Sequence, residues 1–340
     1  MKITVLLGGA SAERNVSLAS GLRIAAALRS RGHEVTVFDP SQGLITPDAE
    51  RELSEGGVGR EPPSLESLVQ TTGGSFLPAL ERQPELVSAD VVFLALHGGQ
   101  GEDGTLQALL DMAHIRYTGS GHLASALAMD KDLSKKLFRT AGVMTPDWIM
   151  APASLEEVER TLGLPVVVKP SKQGSTVGLT VVKEREQFEA AMKEAWRFDD
   201  EVMIEEFIPG RELTVGILGD RPLPVGEIKP KHEIYDYECK YTPGMAEEEF
   251  PAQLSPAQTA RIQQQALAAF RALKLGGCAR IDFRLPSSDD GSVGRDGDFY
   301  CLEANTLPGM TELSLIPQGA AAGGMSFAEL CEEIVNLARR

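Results

Sequence analysis

Arg280-Ile281-Asp282-Phe283 and, further on, Phe299-Tyr300-Cys301-Leu302-Glu303-Ala304-Asn305 set charged groups into short, apolar, β-forming runs. Side chains alternate faces along a strand, so Glu303 and Asn305 point the same way, as do Arg280 and Asp282. If the two strands are neighbours, one surface presents two carboxylates, an amide oxygen and a guanidinium. Hard oxygen ligands of this kind suit Mg²⁺, which keeps its remaining positions for water and substrate phosphate. The plain alternative is an ion-pair ladder on a solvated sheet face. Leu302, Ala304 and the following Thr306-Leu307-Pro308-Gly309-Met310 argue against solvation. The residues favour a magnesium–nucleotide site.

A second stretch asks for the same ligand. Leu164-Pro165-Val166-Val167-Val168-Lys169-Pro170 is an apolar strand that delivers a lysine, and Ser171-Lys172-Gln173-Gly174-Ser175-Thr176-Val177-Gly178 follows it. Small residues let backbone N–H groups approach an anion, Ser and Thr add hydroxyl donors, and a strand-end Lys supplies a point charge for phosphate. Lys169 precedes the glycines, so this is not a Walker A loop. A Gly/Ser hairpin with an incidental lysine is the alternative. Beside the carboxylate cluster, a flap covering phosphates is the stronger reading.

The elements that must position these groups fit in 340 residues, enough for two or three subdomains. Apolar content of 42% and charged content of 24% are ordinary for a soluble chain. A net charge of −16 disfavours nucleic acid or an anionic membrane as partner, so lysines must be concentrated locally to meet a nucleotide. Cys239, Cys278, Cys301 and Cys331 show no metal or redox spacing and read as reduced, mostly buried residues. The opening apolar run is too short for a secretory signal, and no run approaches membrane-spanning length. A cytoplasmic location is expected.

Residues 3–7, 33–38 and 90–96 read as strands and 13–29 as an amphipathic helix. This is a βαβ rhythm that implies a parallel sheet with ligand at the strand C-termini. Residues 41–84 read as irregular connection with one short helix. Met129-Asp130-Lys131 opens a helix to 141. Strands are expected at 143–149, 166–169, 201–207 and 211–218, with helices from Ser154, over 256–274 and from Ser326. Residues 229–249 are long and poorly apolar, which marks a lid or binding loop. The fold class is α/β, in three parts: residues 1–120, 121–212 and 213–340.

The ordered motifs identify a family. Gly8-Gly9-x-Ser11-x-Glu13-Arg14-x-Val16-Ser17, Leu96-His97-Gly98-x-x-Gly101-Glu102-Asp103-Gly104, Met129-Asp130-Lys131 and Lys169-Pro170 come first. Tyr235-Asp236-Tyr237-Glu238-x-Lys240-Tyr241, Arg280-Ile281-Asp282 and Glu303-Ala304-Asn305-Thr306-x-Pro308-Gly309-Met310-Thr311 follow. Together they resemble the D-alanine–D-alanine ligases of the ATP-grasp superfamily over nearly the whole chain, residues 41–84 excepted. The resemblance implies an ATP-grasp fold, with a parallel-sheet domain ahead of two α+β subdomains that clasp ATP. It also implies an acyl phosphate made from ATP and the first D-alanine, then attack by the amine of the second to give a dipeptide for peptidoglycan.

The resemblance also implies roles. Asp282, Glu303 and Asn305 would hold two Mg²⁺, with Mn²⁺ an alternative, and Lys131 and Lys169 would grip the α- and β-phosphates. Lys240 would reach the γ-phosphate, with Ser175 in the flap. Glu205, Glu206, Ile208 and Glu212 would meet adenine and ribose, although Glu205 and Glu212 also read as exposed strand charges. Glu13 would hold the first ammonium, or serve only as a helix-start carboxylate stabilised by the macrodipole. His97 would lie near the first D-alanine. Arg280 and the Gly309 N–H would face the oxyanion, and Ser314 and Leu315 would bind the second carboxylate. Ser175 and Tyr241 would bond towards Glu13 across the closed site.

Thr176 stands where a second serine is usual and Glu206 where lysine is frequent, so any side-chain contact of Glu206 to adenine is in doubt. Tyr241 favours an amino-acid acceptor over D-lactate and leaves D-serine open. A homodimer is expected from the resemblance. A nucleotide-binding protein without ligase activity is the rival of another class, yet no metal ligand or lysine that it would lack is missing.

Overall fold

The structure, a computed structural model, describes residues 1–56, 63–73, 75–232, 234–286 and 298–338. The parts of the 41–84 connection at 57–62 and 74, and of the 229–249 segment at 233, lie outside the described residues.

Three sheets follow one another along the chain. The first contains β1 (Lys2–Leu6), β2 (Glu34–Asp39), β3 (Gly43–Leu44) and β4 (Val91–Leu94), in the order β3-β2-β1-β4. β1 runs parallel to both β2 and β4. Burial from Ile3 to Leu6 on both faces explains its continuous apolar run. The chain leaves β1 toward β2 on one side and returns as β4 on the other. The loops after β1 and β4 therefore open a crevice at the strand C-termini, where open α/β sheets bind ligands. Helix Arg14–Ser30 packs beside β1 and buries Val16, Ser20, Gly21, Ile24 and Leu28, spaced as one helical face. Gly21 is required there: a Cβ would stand 2.4 Å from Leu7 Cβ.

The second sheet holds β5 (Trp148–Met150), β6 (Val166–Pro170), β7 (Thr180–Val182) and β8 (Val202–Glu206), in the order β5-β8-β6-β7 and antiparallel throughout. The third contains β9 (Arg211–Leu218), β10 (Arg221–Pro222), β11 (Gly226–Pro230), β12 (Ala246–Glu249), β13 (Cys278–Leu285) and β14 (Tyr300–Asn305). Its order is β12-β11-β9-β13-β14, with β10 on β9. Helices His122–Met129, Lys131–Thr140 and Pro256–Ala272 contribute Ala124, Phe138, Ile262 and Phe270 to the core under this sheet. The last helix, Phe327–Asn336, returns to the first sheet, where Leu330 and Ile334 join Ile3, Val5 and Ile24 in one core.

The helix starts follow their caps: Asp130, Ser154, Ser255 and Ser326 each accept a backbone N–H of the first turn. Other expectations needed correction. The 41–84 connection carries helices Pro47–Gly56 and Leu65–Thr72 rather than one short helix. The strand expected over 143–149 begins only at Trp148, because Val143 is drawn into the core beneath the third sheet. Helices His122–Met129 and Leu315–Ala322 were not anticipated.

The largest revision concerns residues 229–249, which are not an irregular polar loop. β12 pairs with β11, and helix Tyr237–Tyr241 lies between them. Tyr235 and Cys239 are buried with Ile228 and Leu315, so the polar residues take the outer side of a packed hairpin. The four cysteines are free and buried, as expected. Among the described residues, no helix is long and apolar enough to cross a membrane.

Candidate active site

The floor of the site is the β13–β14 pair, which sets Asp282 opposite Glu303 and Arg280 opposite Asn305. Arg280 grips both oxygens of Asp282, with Nε at 2.9 and 3.1 Å and Nη2 at 2.8 Å. Thr214 Oγ1 from β9 donates to Asp282 at 2.8 Å, and Asn305 Nδ2 donates at 3.0 Å. Burial would raise the Glu303 carboxyl, but Lys131, Lys240, Lys169 and Arg280 outweigh it and hold the group down at about 2. Its nearest partners, Lys131 Nζ and Asn305 Nδ2, stand at 3.5 Å, so its oxygens keep acceptor capacity. An ionised carboxylate ringed by cations and facing a cleft is not the solvated ladder of the alternative reading.

A cleft open to solvent lies above. Lys131, Lys169, Ser175, Glu205, Glu206, Ile208, Glu212, Lys240, Arg280, Asp282 and Glu303 all line it, drawn from both antiparallel sheets. Lys131 reaches Gln173 O at 2.6 Å, which ties its helix to the Gly/Ser hairpin between β6 and β7. Glu205 is buried, not an exposed strand charge, and accepts from Lys169 at 2.6 Å and Lys135 at 2.5 Å. Burial pushes Glu205 up, yet the two lysines win and keep it ionised below its ordinary range. Glu212 is pushed up by burial, opposed by Arg284.

The Gly/Ser hairpin crosses to the first sheet. Ser175 Oγ donates to a carboxylate oxygen of Glu13, 162 positions away. Ser175 and Thr176 both take left-handed backbone, φ 50° and 59°, which is rare for non-glycine residues and recurs where a site constrains the chain. Glu13 stands at the start of helix Arg14–Ser30 and makes no capping hydrogen bond with its side chain. The turn before it is fixed by Arg14, which pairs with Asp39 at 2.6 Å and donates to Gly9 O at 2.7 Å. Gly98, at φ +65°, passes so close that a Cβ would meet Glu13 Oε2 at 2.9 Å. The half-buried Tyr241 phenol stands beside Ser175 and is pushed well up by desolvation and by Glu13.

His97 lines a second, smaller cleft with Gly8, Gly9 and Ser11, rather than the main cleft. Its Nδ1 lies 2.8 Å from Leu307 O and its Nε2 3.3 Å from Ser20 Oγ, and burial lowers its pKa. Gly309 and Ser314 stand together: Ser314 Oγ accepts from Thr311 N at 2.9 Å and would touch a Cβ on residue 309 at 2.7 Å. Leu315, at the start of helix Leu315–Ala322, is buried against the 229–249 hairpin.

Three residues had no role assigned from the sequence. Lys135 lies one turn beyond Lys131, fully buried, between Glu205 and Thr145 Oγ1 at 2.7 Å, and burial pushes it down to about 8. The Lys131-x-x-x-Lys135 spacing was its available signal. Glu102 receives backbone N–H groups of Gly98 at 2.9 Å and Leu307 at 3.2 Å, and burial followed by Glu13 raises it to about 7. Arg23 donates to Met310 O and Thr311 O at 3.0 and 2.9 Å, fastening the Gly309 loop to the first helix.

Comparison with known proteins agrees with this arrangement. The family described as D-ala D-ala ligase N-terminus matches residues 2–120, and D-ala D-ala ligase C-terminus matches residues 132–336. A D-alanine–D-alanine ligase of Syntrophotalea carbinolica is 42% identical over 98% of this chain and 95% of its own. One from Halalkalibacterium halodurans is 42% identical over 99% of both. Among solved structures, the Bacillus anthracis D-alanine–D-alanine ligase complexed with ATP is 31% identical, with TM-score 0.73 over 99% of this chain and 96% of its own. The VanG D-Ala:D-Ser ligase of Enterococcus faecalis is 29% identical, with TM-score 0.79 over 99% and 98%.

Proposed function

Because this chain belongs to the D-alanine–D-alanine ligase family, we propose that its cleft joins two D-alanines at the expense of ATP, supplying the dipeptide for peptidoglycan and the cell wall. The fold is ATP-grasp, two antiparallel sheets clasping the nucleotide beside a parallel-sheet domain that carries substrate loops. The first D-alanine carboxylate attacks the γ-phosphorus and the bond to ADP breaks, leaving an acyl phosphate. The second amine attacks that carbonyl and phosphate departs. Negative charge gathers first on phosphoryl oxygens and then on a tetrahedral oxyanion, so preorganised donors carry the catalysis.

Each role rests on placement. Lys131 and Lys169 take the α- and β-phosphates and Lys240 the γ-phosphate, all three lining the cleft. Glu205, Glu206, Ile208 and Glu212, which line the same cleft, take adenine and ribose. Glu13 anchors the first ammonium, and Arg280 with the Gly309 N–H faces the oxyanion. Ser314 and the backbone of Leu315 receive the second carboxylate, with His97 beside the first substrate.

Asp282, Glu303 and Asn305 would hold Mg²⁺, two ions by the family's pattern, with Mn²⁺ an alternative. Two carboxylates and an amide oxygen are the hard donors such an ion takes, and Glu303 retains acceptor capacity. When bound, the metal neutralises phosphate charge.

The observation that carries this reading is the meeting of Glu13, Ser175 and Tyr241 from three distant stretches of chain. It closes the substrate anchor under the phosphate flap and shields a hydrolysable intermediate from water. A cytoplasmic homodimer belongs to the same proposal; the free, buried cysteines and the lack of a spanning helix among the described residues fit a cytoplasmic location. The test is ADP release with D-alanine alone, compared with D-alanine plus D-serine or D-lactate. Turnover with D-alanine alone, and dipeptide as sole product, is expected; dependence on a second acceptor, or no ADP at all, overturns the reading.

A further inference from the structure

The 229–249 hairpin carries a cluster that the ligase reading does not use. His232, Asp236 and Cys239 each turn one ligand atom to a common point, all within 4.8 Å of one another. Asp236 is the hub. Its Oδ2 accepts from His232 Nδ1 at 2.7 Å, and its Oδ1 caps helix Tyr237–Tyr241 by accepting the backbone N–H of Cys239 at 2.9 Å, which brings the Cys239 sulfur within 4.8 Å of the carboxylate and the imidazole. An imidazole and a thiol thus stand beside one carboxylate.

We propose that this cluster is a binding site for a borderline-soft divalent transition ion of the Zn²⁺ class, held by His232 Nδ1, Asp236 and the Cys239 thiolate. On binding, the thiol proton passes to solvent and the imidazole frees Nδ1 for the ion, keeping its one proton on Nε2. Neutral imidazole, carboxylate and thiolate then balance its charge. Donors bonded at about 2.0–2.3 Å around a tetrahedral ion lie roughly 3.5 Å apart, so the cluster closes with modest side-chain rotation.

Two further features fit such a site. Cys239 is buried, so a metal-bound thiolate there would be shielded from solvent. His232 and Asp236 are partly exposed, with side chains 39% and 31% accessible, which leaves an entry path and room for water as a fourth ligand. A thiolate and an imidazole select against Mg²⁺, and the site is chemically distinct from the all-oxygen set of Asp282, Glu303 and Asn305. It does not rest on the ligase reading.

Cobalt titration of the full chain in excess Mg²⁺ tests the site, because only a thiolate ligand gives a sulfur-to-cobalt charge-transfer band. The expected result is a band that saturates at one equivalent and is bleached by Zn²⁺. Cys239→Ser abolishes it, and His232→Ala, at a partly exposed position, weakens cobalt binding at least tenfold. No charge-transfer band, a band that survives Cys239→Ser, or unchanged affinity in His232→Ala overturns the proposal. The survival outcome matters because Cys301 lies in the same strand as Glu303.

Discussion

Glu303→Gln isolates charge from shape. The two side chains are nearly isosteric, and the nearest partners of Glu303 stand at 3.5 Å, so no tight hydrogen bond is lost. What disappears is one negative charge among Lys131, Lys240, Lys169 and Arg280. The carboxyl titrates at about 2 in the fold against an ordinary 4.5, and at about 1.4 kcal/mol per tenfold this is worth up to roughly 3 kcal/mol. Because 26% of the side chain still meets solvent, about 1–3 kcal/mol is the working range. The folded-state pKa is depressed, so this stability is fully present above pH 4.5 and is lost as pH falls toward 2. Urea unfolding of the ATP-free protein at pH 7 and near pH 3 measures it, and the gap between parent and variant should shrink at the lower pH. Turnover should fall by about 10²-fold or more, the cost of losing one preorganised electrostatic contact. Unchanged kcat with ordinary Mg²⁺ dependence, together with a pH-independent stability gap, would refute the reasoning.

Two other substitutions separate the remaining roles. Glu13→Gln should weaken D-alanine binding while ATP binding, followed by calorimetry, stays nearly unchanged. Its melting temperature should move little, because the helix-end term is only about 0.3–1 kcal/mol and Glu13 makes no cap bond; lost stability with normal D-alanine affinity would return it to a structural role. Tyr241→Ala removes the phenol beside Ser175 and should raise ADP released per dipeptide as the acyl phosphate leaks to water. One ADP per dipeptide in that variant, measured by coupled assay and chromatography, contradicts closure by the hairpin.

The packed state of residues 229–249 bears on how closure works. The sequence marked a lid or binding loop, and in the structure Tyr235 and Cys239 bury against Ile228 and Leu315, and β12 holds β11. Opening would have to expose that small apolar cluster. Hinging of the whole hairpin about β11 therefore costs less than unravelling it, since the internal contacts then travel together.

Local chemistry was legible in the chain because it depends on short-range periodicity. The two-residue alternation put Glu303 with Asn305 and Arg280 with Asp282, and the strands proved to be neighbours in that register. Asp130, Ser154 and Ser326 announced helix starts, and the apolar run at residues 3–7 announced a buried strand of a parallel sheet. The ordered motifs carried the family, and with it the set of residues that line the cleft. Tertiary structure alone decided which charges became partners. Lys135 and Glu205 are 70 positions apart and Ser175 and Glu13 are 162 apart. Nothing in either residue's neighbourhood states that they meet, because ion pairs and hydrogen bonds act over a few ångströms of space. Burial was likewise invisible for Glu102 and Lys135: desolvation moves their titration to about 7 and about 8, and only the packing of other elements removes the water. The hairpin at 229–249 was misread for the same reason, since its few inward residues are too sparse to form a periodic signal until Leu315 and Ile228 supply the other half of their core.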